Sequence, residues 1–220
     1  MGRCTNHRSK KRIGWQLDYL IAYYKDVLDS AERAVGALTD GPALSDEQLL
    51  INAYRASQYL YYGTRRATYD EMVATGDIGL IDDRRLRETA LTFYGDPTID
   101  IVTNEARSSE YRRVFRRAMP ADVQRALLET CGDRILDPGD YDGMDGSIDY
   151  PCELDLPAGK IAAAAARLRS DAVLLAALQL RFADLETAIL NLEQGTPGLL
   201  ENLRAISGRG APMPEPEATP

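Results

Sequence analysis

The sequence predicts an all-α protein: a bundle built on two long heptad-patterned helices, with shorter helices and a disulfide-capable acidic loop. Three observations carry that expectation. Apolar residues recur in alternating steps of three and four near both ends of the 220-residue chain. Sustained alternation of β-branched residues, the mark of strands, occurs nowhere. Cys131 and Cys152 bracket an irregular stretch rich in acids, glycine and proline. The domain organisation expected is a flexible basic leader over 1–12, a single helical domain over 13–207 and a disordered proline-rich tail over 208–220.

The first long helix is expected over 13–38. Ile13, Leu17, Leu20, Tyr24, Val27, Ala31, Ala34 and Leu38 form its seam, and Ile21, Leu28 and Val35 widen it to a bundle face. Gly41-Pro42 closes it, and Ser45 with Gln48 reads as a capping box for a second helix. Thr68 with Glu71 reads as another, opening a short helix that ends at Gly76 as a left-handed cap. Ile78, Leu80 and Ile81 then look too apolar for a surface turn and are expected to plug into the core. Asp82 or Asp83 caps the next helix.

Asp96-Pro97 should open one helix running to about residue 117, and Pro120 another, to Cys131. An alanine run at 162–166 favours helix. The second long seam steps through Leu175, Leu178, Phe182, Leu185, Ile189 and Leu192, with Ser170 or Asp171 as cap, and Thr196-Pro197 opens a short last helix. The two seams are expected to bury Leu20 and Val27 against Leu178 and Leu185.

The segment TYDEMVATGDIGLIDDRRLR, followed by FYG, resembles the signature of a family of uncharacterised bacterial single-pass membrane-anchored proteins, with Tyr69, Glu71, Gly76, Leu80, Ile81 and Leu86 as the matching positions. The resemblance implies a helical domain on the extracytoplasmic face of the bacterial cytoplasmic membrane. It implies no activity. This sequence lacks the family's membrane helix, so membrane association is expected through a missing upstream helix or the basic leader.

Charge and composition narrow the functions. The net charge is −8, which disfavours nucleic acid as a partner. His7 is the sole histidine, so histidine acid–base and triad chemistry is not expected. Residues 133–155 hold eight acids against Arg134, and residues 105–117 hold five arginines against Glu105 and Glu110. Within the acidic stretch, Asp140, Asp142, Asp145 and Asp149 fall one residue from a calcium-loop pattern, with Met144 as the insertion. Calcium is the only cofactor this suggests, and a solvated turn is the plainer reading. Cys131 and Cys152 are expected to close this loop as a disulfide, against the alternative of two unrelated thiols. The tyrosine-rich N-terminal half could line a ligand wall or simply the bundle, and Arg112, Arg113, Arg116 and Arg117 could meet an anion or solvent. The function expected is a non-enzymatic helical domain for sensing or contact with a protein partner, with a small-molecule or calcium-binding helical module as the alternative.

Overall fold

The computed structural model describes residues 4–61, 66–144, 146–195 and 198–207, with side chains from residue 14 to 205 among these. The fold is all-helical, with no strand among the described residues. Its helices are α1 (Cys4–Leu38), α2 (Asp46–Ala56), α3 (Ala67–Thr75), α4 (Arg84–Gly95), α5 (Thr98–Ser108), α6 (Glu110–Ala118), α7 (Ala121–Cys131), α8 (Ala158–Ser170), α9 (Ala172–Gln194) and α10 (Leu199–Ser207). None is long and apolar enough to cross a membrane.

The long helix α1 is the axis of the bundle, and α2, α9 and α10 pack on it. Its predicted seam is inside: Leu17, Leu20, Tyr24, Val27, Ala31 and Ala34 are buried, as are Trp15 and Tyr23. Leu178 and Leu185 are fully buried on α9, as the two-seam expectation requires. Each such leucine contributes roughly 2–3 kcal/mol by leaving water. After α1 the chain reverses so tightly that a Cβ on Gly41 would lie 2.8 Å from the backbone of Gly36, so only glycine fits there. Ser45 then caps α2 with the capping box complete on both sides.

Several expectations are corrected. Helix α1 begins at Cys4 and not at the expected residue 13. The single helix expected from residue 96 to 117 is two, because Ser109 leaves the helical region (φ −54°, ψ 142°) and caps α6 by accepting from Arg112 N. Thr68 caps nothing: α3 starts one residue earlier and has no side-chain cap. On α9 the buried stripe runs through Leu174 and Arg181, while Leu175 and Phe182 are half-buried.

The largest correction concerns residues 77–81. Gly76 has the predicted positive φ, 81°, and Asp83 caps α4 through Leu86 N. The apolar residues between them do not plug the core. Ile78 and Ile81 are half-buried and Leu80 is 74% exposed. Arg87 holds this turn instead, donating to the carbonyls of Gly79 and Ile81. No residue of α3 is buried. The unit α3–α4 is an arm whose two helices meet through the stacking of Tyr69 on Tyr94 at 4.5 Å, and which is anchored by buried Phe93 and by Arg85 on Asn202 of α10.

Ile13, Asp145, Thr196, Pro197, Ile206 and the 208–220 tail lie outside the residues or side chains described.

Candidate functional site

The disulfide expectation is met in geometry: the sulfurs of Cys131 and Cys152 lie 2.10 Å apart, with their Cα atoms at 5.5 Å. The bond ties the end of α7 to the far side of an irregular loop. Three aromatic residues at four-residue spacing on α1 hold that loop. Trp15 Nε1 donates to Asp140 O, Tyr19 OH to Arg134 O, and Tyr23 OH to Asp133 Oδ2 at 2.9 Å.

Among the described residues the acids of the loop do not gather into a cation site, and no three acidic, histidine or cysteine groups converge. Asp140 folds back to accept from Gly143 N, Asp142 is exposed, and Asp145 lies outside the description. Asp149 turns to two arginines: Arg55 Nη1 at 2.9 Å and Arg33 Nη2 at 3.0 Å. Arg55 is buried and also donates to Tyr150 O. Beneath them Asp26 carries a pKa raised to about 6, first by burial and then by the facing Asp149 carboxylate.

The strongest candidate site lies on another side of the same loop. A cleft of about 750 Å³ opens between the end of α2, the α6–α7 corner and residues 133–136. Buried Tyr19, Tyr54 and Phe115 form its floor. At its mouth stand Tyr61, Leu128 and Ile135, exposed by 70%, 64% and 99%, so this rim is exposed apolar surface. Four arginines line it: Arg112, Arg116, Arg125 and Arg134.

Local structure explains each position. On α6, Tyr111, Phe115 and Ala118 face the core, which turns Arg112 and Arg116, one turn apart, to the adjoining cleft face. Arg112 donates to Ser57 O at 2.8 Å and lies over the ring of Tyr59. Burial and the neighbouring Arg116 lower its pKa. Gln124 braces the corner by donating to the carbonyls of Arg116 and Met119. Arg134 stacks on Tyr150 at 3.6 Å. Asp133, the one carboxylate among the lining residues, has a pKa raised by burial and partly restored by the Tyr23 hydrogen bond. Burial also pushes Tyr54 up to about 12, with Asp133 adding to the rise.

Two separate sequence readings, the tyrosine wall and the arginine cluster, therefore meet in one place. Tyr19, Tyr54, Tyr59 and Tyr61 join Arg112 and Arg116 there, whereas Arg113 and Arg117 do not line the cleft. Sequence reasoning did not find Arg125, Arg134 or Asp133 as cleft residues. They come from α7 and from the loop, and only the disulfide hinted that these segments meet. A comparison with protein-family models, with curated proteins and with solved structures finds no match to the chain.

Proposed function

We propose that this chain is a non-enzymatic sensing domain that takes a small molecule into the tyrosine–arginine cleft. The observation that carries the proposal is the cleft itself: open, of drug-sized volume, with a preformed aromatic floor and an exposed apolar rim. The chemistry favours binding over catalysis. Asp133 is the single carboxylate lining the cleft and Tyr23 already engages it, so no pair of titrating groups stands ready for acid–base work among the described residues.

The setting we propose is the extracytoplasmic face of a bacterial cytoplasmic membrane. The disulfide supports it, since such bonds persist in oxidising compartments, as does the resemblance carried by residues 68–87. The protein-contact part of the reading falls to the α3–α4 arm, where Val73, Leu80 and Leu91 are exposed.

The test is a thermal-shift screen of the full chain against neutral, cationic and anionic small molecules, run beside Ala121→Trp. Ala121 is exposed on the cleft lining, and an indole there fills the space without entering the core. At a hundredfold excess over Kd a ligand adds about 2.7 kcal/mol, which raises Tm by roughly 5–11 °C in a domain of this size. Compounds should stabilise the wild type and not the tryptophan variant. A screen in which every compound acts equally on both proteins, or on neither, would sink the proposal.

A further inference from the structure

We infer that the ligand of this cleft is an organic oxyanion: a carboxylate or phosphate head carried on an apolar body. The inference rests on the small-molecule reading above and deepens it by naming the chemistry.

The argument begins with charge. The chain carries a net −8, yet this cleft is lined by four arginines against one aspartate. Arg112 and Arg116 stand four residues apart on one helix, where like charges repel. The dipole of α6 accounts for Arg116 and Arg117 in its last turn. It does not account for Arg125 and Arg134, which arrive from other elements.

Two of the four are already committed. Arg112 is bonded to Ser57 O and laid on Tyr59, and Arg134 is stacked on Tyr150. Among the described residues Arg116 and Arg125 make no ion pair and no side-chain hydrogen bond. Asp133 makes no ion pair with either among the described residues; Tyr23 donates to it from below. Two open guanidinium forks thus border the space, and such forks match the paired oxygens of carboxylate or phosphate. Between them lie the rings of Phe115 and Tyr54, centroids 6.5 Å apart and tilted by 53° to one another, which give an apolar floor for the body of a ligand. A cationic ligand would face four arginines against the one carboxylate of Asp133, and a neutral one would leave both forks unused.

Isothermal titration of the full chain with four probes of one shape tests this: 2-naphthoate, 2-naphthyl phosphate, the uncharged 2-naphthamide and 2-naphthylmethylammonium. At least one oxyanion should bind ~10-fold or more tightly than the amide. Arg116→Gln and Arg125→Gln should each weaken that oxyanion by a similar factor and leave the amide unchanged. Arg113→Gln, on the same helix but off the cleft, should change nothing. Tighter phosphate binding would identify phosphate esters as the natural class, and tighter naphthoate binding carboxylates. The inference is overturned if the amide or ammonium binds as well as both oxyanions, or if the Arg116→Gln/Arg125→Gln double variant stays within about twofold of wild type. If all four probes fail while other screened compounds bind and are blocked by Ala121→Trp, the oxyanion inference falls and the cleft reading stands. If that screen fails as well, both fall.

Discussion

Replacing Asp26 by asparagine should stabilise the protein at neutral pH and leave it nearly unchanged in acid. Asp26 sits on α1 beneath the acidic loop, and its Oδ2 has no hydrogen-bond partner among the described residues. Burial raises its pKa from an ordinary 3.8 to about 6, the carboxylates of Asp149 and Asp29 add to the rise, and the backbone N–H groups of Asp149 and Gly146 oppose it. Between these two pKa values the native state keeps a proton that the unfolded chain has released. Stability therefore falls as pH climbs through that window, and above about pH 6 the whole penalty is present. About two pH units at 1.36 kcal/mol each set a ceiling near 3 kcal/mol. Asp26 keeps some contact with solvent, which reduces the figure to roughly 1–2 kcal/mol. Asparagine fits the same space and carries no charge. Urea unfolding followed by circular dichroism, from about pH 4 to 7.5, should show the two proteins converging in acid and the variant ahead by that amount at pH 7.5. A variant that is less stable than wild type at pH 7.5, or a gap that does not change with pH, would refute the reasoning.

Three further perturbations follow from the same geometry. Asp149→Ala leaves Arg55, whose side chain is only 5% exposed, as a buried charge without its carboxylate, and should cost roughly 3 kcal/mol in urea unfolding, with Asp149→Asn recovering part of it. Cys152→Ser opens a loop of sequence separation 21 and should cost about 3 kcal/mol; reductant should bring wild type down to the variant and leave the variant unmoved. Leu80→Ala removes a side chain that is 74% exposed and should shift stability by no more than about 0.5 kcal/mol; a loss of several kcal/mol would show that this leucine is buried in solution.

Much of the fold was legible in sequence because its signals are local. The α1 seam, the capping box at Ser45, the caps at Asp83 and Asp171 and the left-handed Gly76 each depend on a few neighbouring residues. What failed depended on distant partners. Arg181 takes a seam position because α2 ends without a glycine cap, and the carbonyls of its last residue Ala56 and of Gln58 just beyond it need a donor, which Arg181 supplies from α9. Leu80 read as a plug because its hydrophobicity was visible and the pinning of its turn by Arg87 was not. Ser109 stood among good helix formers, with arginine where a capping box carries an acid, so the break before α6 went unseen. The cleft was the least legible feature, since its floor and arginines come from α1, α2, α6, α7 and the loop.

The three rings that hold the loop to α1 have one further consequence. Trp15, Tyr19 and Tyr23 repeat every four residues, and each offers one hydrogen-bond donor to the loop. Sliding α1 by about 6 Å along its axis would bring Tyr19 to the place of Trp15 and Tyr23 to that of Tyr19. The ladder of rings is thus nearly degenerate: it grips the loop without specifying which rung belongs to which socket. Register must be set by parts that do not repeat. Arg33 reaching Asp149 supplies one such mark, and the fully buried Ala31 and Ala34 supply another, because larger side chains shifted into their places would not fit. The small alanines of α1, plain as they look in the sequence, are what tell this helix where to stop.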